Sequence, residues 1–493
     1  MDIIPKPALL TPNEGRFDLA QDTRIYITPA NVEVMTIGEY LADRLRPATG
    51  YPLPVTPAAS APTFGHIYLA LLPTDTALGE EGYALRVGAE GVTLTAFRPA
   101  GLFRGVQTIR QMLPAAIELP SVQPGPWSLA GVDIRDVPRF AWRGAMLDVS
   151  RHFFSVEDVK RYIDYLAYYK VNRFHIHLTD DQGWRIEIKS WPKLAEIGGS
   201  TQVGGGPGGF YTQEQYAEIV RYAQNCYMTV VPEIDMPGHT MAALASYPEL
   251  SREGIMPSLY TGIDIGVSSL NTRSEFTYRF IDDVIREVAA LTPGSYIHIG
   301  GDEAFKTSET DYIAFIERCQ EIVAQHGKVA VGWQEIAKAR LLPTTIVQFW
   351  NIHARSVDLA RRALEQGARI VMSPASRVYL DMKYDVATAL GQSWAGCVEV
   401  HQSYEWEPVT VVEGLAEENV IGVEAPLWSE TALTLDDVEY LAFPRLPGIN
   451  EIAWSAVTGR NWEEYRDRLA GHGPRLEKMG IDYYRSPQVG WRG

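Results

Sequence analysis

The stretch Ser295-Tyr296-Ile297-His298-Ile299-Gly300-Gly301-Asp302-Glu303 is a short apolar strand that runs into two glycines and then two adjacent carboxylates. Neighbouring side chains on a strand point to opposite faces, but glycine lets the backbone bend sharply where the strand ends. Such a bend can turn both carboxylates toward one space. Two close carboxylates in a partly dry site cannot ionise independently, so one becomes an acid at neutral pH. An isolated Asp-Glu pair is ordinarily a solvated loop feature. Here the rest of the chain repeats the same strand-then-polar plan.

From about residue 138 the pattern is strand, loop, helix, repeated. Strands are predicted at 145–149, 173–178, 228–232, 296–299, 329–332, 346–349, 370–372 and 421–425, with helices at 156–169, 212–225, 274–291, 312–325 and 357–366. Eight strands alternating with helices predict an α/β fold, a (β/α)8 TIM barrel occupying 138–493. A doubly wound sheet competes, but no glycine-rich phosphate turn follows the first strand. The glycine run at 204–209 lies outside a strand-to-helix turn and reads as a mobile loop. Residues 1–137 read as a smaller α+β support domain. Its predicted strands are 24–27 and 66–71, with a hairpin of 83–87 and 92–96, and helices at 32–45 and 100–113. The proline-rich segment 120–127 is the expected linker.

Catalytic groups of such barrels sit just past the strands' C-terminal ends. Those positions hold Arg151; Asp180 and Asp181; Asp235 and His239; Asp302 and Glu303; Trp333; Trp350; Tyr379 and Asp381; and Trp428 and Glu430. Carboxylates, an Arg and several large aromatics on one rim suit a polyhydroxylated ring, stacked on its apolar face and hydrogen-bonded at its edge. His175 and His177 share a strand face, as paired metal ligands do. They supply an alternative, a metal-dependent TIM-barrel hydrolase. Neither an H-E-x-x-H motif nor a Cys cluster supports it, and the pair is expected to be core or supporting residues, with no metal and no cofactor.

Composition narrows the partners. The 493 residues carry 44 basic and 61 acidic side chains, a net charge of −17, which argues against nucleic acid and against anionic membrane. No apolar run is long enough to span a bilayer. Three cysteines form no disulfide framework, and the N-terminal residues lack the pattern of a signal peptide. The expectation is a cytoplasmic protein, with secretion after loss of a leader as the alternative. Twelve Trp and 25 Tyr lean toward carbohydrate.

Five blocks in order, 144–154, 175–185, 232–239, 298–303 and 428–431, resemble glycoside hydrolase family 20, the β-N-acetylhexosaminidases, and most closely its bacterial members. The resemblance covers the barrel, and a preceding α+β domain is also typical of that family. It implies exo-hydrolysis of terminal β-linked GlcNAc or GalNAc from glycans by substrate-assisted, retaining catalysis through an oxazolinium intermediate. It also implies roles. Glu303 would be the acid/base. Asp302 and Tyr379 would hold the acetamido group. Asp180 and His239 would orient Glu303, with Asp235 nearby. Trp333, Trp350 and Trp428 would form an aromatic box, with Trp394 beside the leaving group. Arg151, Asp381 and Glu430 would clamp ring hydroxyls. A sugar-binding protein on a catalytically retired barrel is the non-enzyme alternative, disfavoured by the intact Asp302-Glu303 pair and Tyr379. The 4-epimer preference, natural glycan and oligomeric state are left open by the sequence.

Overall fold

The computed structural model describes residues 1–492. The chain divides into two compact units. One comprises Met1–Arg139, Tyr168–Lys170 and the C-terminal segment from Asn450; the other comprises Phe140–Ala167 and Val171–Ile449.

The first unit is built on a seven-stranded mixed sheet of β1 (Leu9–Asp18), β2 (Arg24–Thr28), β3 (Val55–Pro57), β4 (His66–Leu71), β5 (Tyr83–Gly88), β6 (Gly91–Ala96) and β7 (Ser128–Asp136). Their order across the sheet is β1-β7-β5-β6-β4-β2-β3. The helix Val32–Thr49 is capped at its start by Asn31, whose side chain accepts from Val34 N, and ends at Gly50 in the left-handed region. It buries Val34, Ile37, Leu41 and Leu45, one apolar stripe at helical spacing. Each such side chain contributes roughly 1.5–3 kcal/mol on burial. Two expectations are corrected here. The proline-rich segment 120–127 is not a linker, because β7, which follows it, pairs with both β1 and β5 inside this sheet. The C-terminal part, including the helix Trp462–Lys478, groups with this first unit, whereas the sequence pattern places all of 138–493 in the barrel.

The second unit is a closed parallel barrel of β8 (Trp142–Asp148), β9 (Arg173–His177), β10 (Thr229–Glu233), β11 (Tyr296–His298), β12 (Val329–Trp333), β13 (Ile346–Phe349), β14 (Arg369–Met372) and β15 (Val420–Ala425). All eight predicted strands are present, each within a few residues of its expected bounds. Strand alternation sorts the interior into layers. Trp142, Val231, Val331, Ile346 and Val371 form an apolar cluster. Two residues further on, and so on the same faces, come Glu233, Trp333 and Gln348, all buried. The site is built on this polar layer. The 204–209 run is not a free loop: Arg185 Nη1 donates to Gly209 O (3.0 Å), and Gly209 N donates to Gly199 O.

Candidate active site

The bend predicted after β11 is present. Gly300 and Gly301 take φ of +65° and +100°, and a Cβ at Gly300 would lie 1.6 Å from Asp235 Oδ1. No other residue fits there. Asp235 is itself buried beneath the bend, where Oδ1 accepts from Gly301 N (3.1 Å). Glu303 and His239 also adopt positive φ, +46° and +54°. For residues with a Cβ this costs about 1–2 kcal/mol each, a strain found mainly where a side chain must be aimed.

His239 Nε2 faces both carboxylates, 3.4 Å from Glu303 Oε2 and 3.6 Å from Asp302 Oδ2. Its Nδ1 lies 3.1 Å from Asp180 Oδ1. Asp180 Oδ2 in turn lies 2.7 Å from His177 Nε2 and 2.9 Å from Arg151 Nη2. Although burial opposes it, Asp180 and Asp302 raise His239 well above the ordinary histidine range, so the imidazolium persists at neutral pH. Burial works against Asp180 too, but Arg151 and His239 hold its carboxyl well below the usual range. Burial pushes the Asp302 carboxyl up to about 6; Glu303 adds to the shift and His239 opposes it. Asp302 is therefore mostly ionised at pH 7, but only just.

The aromatic residues gather beside these acids. Trp350 stacks on Tyr379 (ring centres 6.3 Å apart, planes at 16°), and Trp394 meets both edge-on at 5.8 and 5.7 Å. Trp428 lies 5.7 Å from Trp333 and 6.4 Å from Tyr379. Trp394 is 53% exposed, whereas the other four are buried, so it forms the outer edge. The Arg151 guanidinium sits 4.8 Å over the Trp428 ring. Asp381 and Glu430 form a further acid pair. Burial and the Glu430 charge push Asp381 well above the usual range, and burial raises Glu430 against the pull of Arg151.

Several buried polar atoms of this mouth have no hydrogen-bond partner among the described residues: Arg151 Nε, Asp302 Oδ1, both Asp381 oxygens and Glu430 Oε2. Unsatisfied buried groups each cost about 1–3 kcal/mol, and they persist where a ligand supplies the partners. A ring bearing several hydroxyls and an amide has donors and acceptors for all of them.

The metal-dependent reading is not favoured. Among the described residues, four groups of His, Asp and Glu are close enough together to ligate a cation, including His175-Glu233-His298 and His239-Asp302-Glu303. The nitrogens of the His175/His177 pair, however, all face carboxylates. His177 Nδ1 is 2.6 Å from Glu233 Oε2, with its Nε2 on Asp180. His175 Nε2 lies 3.0 Å from Glu233 Oε2, and its Nδ1 lies 2.7 Å from Glu424 Oε1. The pair forms the floor of the site, as supporting residues. Burial disfavours the charge on His175, but Glu424 and Glu233 still raise it to about 9.

Sequence reasoning passed over several contributors. Glu233 Oε1 accepts from Trp333 Nε1 (2.9 Å), while its other oxygen faces both strand histidines. It thus joins the acid side of the site to the aromatic side. Asp148 accepts from Ser150 N, Arg151 N and Ser429 N, fixing the loops that carry Arg151 and Glu430. Glu335 receives the Trp350 indole N–H. A Glu inside an apolar strand such as Thr229-Val230-Val231-Pro232-Glu233 was the available signal, because a buried carboxylate must be paired.

Barrel, carboxylates, aromatic box and unpaired rim atoms together define a hydrolase of the glycosidase class. Comparison with known proteins agrees. Residues 140–457 match the model of the glycosyl hydrolase family 20 catalytic domain, and residues 1–137 match the family's domain 2. The chain is 41% identical over 492 residues to a β-N-acetylhexosaminidase of Cellulomonas fimi, covering 100% of this chain and 97% of the relative. Among solved structures, the family 20 β-N-acetylhexosaminidase of Streptomyces coelicolor A3(2) superposes with a TM-score of 0.97 at 53% identity, over 100% of this chain and 99% of that one. A mutant Streptomyces plicatus β-hexosaminidase in complex with its product GlcNAc gives the same TM-score and identity, over 100% and 98%. The chain belongs to glycosyl hydrolase family 20.

Proposed function

We propose that this chain is an exo-acting β-N-acetylhexosaminidase that removes terminal non-reducing β-linked GlcNAc or GalNAc with the substrate's own acetamido group as nucleophile. The observation that carries the reading is the placing of Asp302 and Glu303 around one imidazolium, His239, at 3.6 and 3.4 Å. A double-displacement glycosidase needs two carboxyl groups on opposite sides of the scissile bond, about 5–5.5 Å apart. Here both carboxyl groups face the same histidine, with oxygens within 4.8 Å of each other, which suits an acid beside a partner for the acetamido N–H.

In the first step Glu303 gives its proton to the glycosidic oxygen as the acetamido oxygen attacks the anomeric carbon. The new carboxylate is stabilised by His239⁺, whose charge is maintained by Asp180. Asp302, still ionised, accepts the acetamido N–H, makes that oxygen more nucleophilic, and balances the oxazolinium charge. In the second step the Glu303 carboxylate takes a proton from water as it opens the ring at the anomeric carbon, and the configuration is retained. Tyr379, Trp350 and Trp333 enclose the acetamido group. Trp428 supports the ring, and Trp394 lies beside the leaving group. Arg151, Asp381 and Glu430 hold the hydroxyls.

Chromogenic β-N-acetylglucosaminide, β-N-acetylgalactosaminide and β-glucoside, compared side by side, test this. Turnover of one or both acetamido sugars with a negligible rate on the glucoside supports the proposal. Comparable turnover of the glucoside defeats it.

A further inference from the structure

Trp350 is held by two consecutive residues of another segment. Gln334 and Glu335 follow Trp333 at the end of β12, and each takes hold of a different part of Trp350. The Gln334 side-chain oxygen accepts from Trp350 N (2.9 Å) and Asn351 N (3.1 Å), and its amide donates to Asn351 O (3.2 Å). Glu335 Oε2 accepts from the indole Nε1 (3.1 Å). Gln334 therefore fixes where the residue leaves the backbone, and Glu335 fixes the swing of its ring. An indole N–H placed among buried aromatics needs an acceptor, and Glu335 is the one it finds.

We propose that Glu335 is a positioning residue for the acetamido pocket: by anchoring the Trp350 indole it sets the width of the aromatic enclosure and hence the size of N-acyl group the enzyme accepts. The inference rests on the acetamido-assisted reading above, in which Trp350 closes on that group. Its stacking against Tyr379 means a rotation of the Trp350 ring would disturb two walls at once. The surroundings fit an anchor better than a second acid. Burial and the nearby Asp302 charge raise the Glu335 carboxyl to about 8, so at neutral pH it is mainly neutral and leaves Asp302 to act as the anion. A neutral carboxyl still accepts from an indole N–H through its carbonyl oxygen.

The test is a set of Glu335→Gln, Glu335→Leu, Trp350→Phe and the Trp350→Phe/Glu335→Leu pair, assayed with 4-nitrophenyl β-glucosaminides carrying N-acetyl, N-propionyl and N-butyryl groups. Glu335→Leu removes the acceptor at similar volume. We expect it to lower kcat/KM for the N-acetyl substrate by roughly tenfold, the scale of one lost, partly buried hydrogen bond to a ring that must stay in place. It should also shrink the acetyl-to-butyryl preference. Glu335→Gln keeps an acceptor oxygen and should restore both the rate and the preference to within about threefold. In the Trp350→Phe background, which has no indole N–H, Glu335→Leu should add little further loss. A Glu335→Leu enzyme with lowered Tm but unchanged acyl preference would overturn the proposal. So would an equal penalty in the Trp350→Phe background. Failure of the underlying acetamido reading would show separately, as wild-type enzyme that does not depend on the N-acyl group at all.

Discussion

Replacing Asp180 by Asn tests the buried charge chain that runs through His239 to Glu303. Asp180 Oδ1 lies 3.1 Å from His239 Nδ1, and its other oxygen lies 2.9 Å from Arg151 Nη2. At an effective dielectric near 20, unit charges about 3.1 Å apart attract by roughly 5 kcal/mol, an upper bound on what His239⁺ loses. Asn keeps an oxygen for the hydrogen bond, and Asp302 and Glu303 still face Nε2, so about half of that should reach the transition state. The expected fall in kcat/KM is roughly 10²-fold at pH 8. The loss should depend on pH, because the folded protein raises the pKa of His239 and Asp180 is the leading charge responsible. Without Asp180 the imidazolium loses its proton at lower pH, so the alkaline limb of the kcat/KM profile moves toward neutrality. At pH 5 the histidine is charged again and much of the deficit should disappear. The assay is kcat/KM from pH 4.5 to 9 on an aryl N-acetylglucosaminide, with circular dichroism as the check on folding. A loss of constant proportion across that range, with the alkaline limb unmoved, would show that Asp180 does not hold the His239 charge.

Glu303→Gln should retain ligand binding but reduce turnover by roughly 10²-fold or more, less for good leaving groups; equal losses for activated and unactivated leaving groups would remove Glu303 as the acid. Trp350→Ala and Trp428→Ala should weaken product-sugar binding, read by calorimetry, with a smaller effect on Tm; unfolding without a selective binding defect would make them core residues only. His175, raised to about 9 against an unfolded value near 6.5, gives a stabilisation that is complete below about pH 6.5 and is lost as pH rises through 9. The wild-type Tm should decline from pH 7 to 10, and His175→Gln, less stable at pH 7, should show a shallower decline; parallel declines would contradict this.

The barrel was legible because each of its strands is a short, largely apolar run followed at its C-terminal end by a polar or large aromatic residue, and burial on both faces removes the ambiguity of alternation. The strands missed lie elsewhere. β1 is largely exposed, contains Pro12 and Gly15, and shifts register between Pro12 and Arg16. Its edge position is specified by its partner β7 more than by its own residues. The helix Trp462–Lys478 contains Gly471, Gly473 and Pro474, all helix-weakening, so its pattern is masked until packing overrides propensity. The residues picked out beyond the strand ends gather in space because a closed parallel barrel brings every strand's C-terminal end to one mouth. Glu233 and Glu424 could not, since their importance lies in register: Glu233 stands opposite both His177 and His298, and Glu424 opposite Gly144, where a Cβ would lie 2.2 Å from its carboxylate. Glu335 was hidden for a related reason, because its partner Trp350 lies just past the end of the next strand, β13.

If the sugar's acetamido oxygen, and no protein carboxylate, attacks the anomeric carbon, turnover leaves no covalent sugar on the protein. The most direct measurement is intact-protein mass spectrometry after incubation with a 2-fluoro glycoside bearing a good leaving group, alongside turnover of the N-acetyl substrate by the same enzyme. The expected result is unmodified protein mass from a fully active preparation. A stoichiometric mass increase that maps to Asp302, Glu303 or any other carboxylate would contradict it and establish ordinary double displacement.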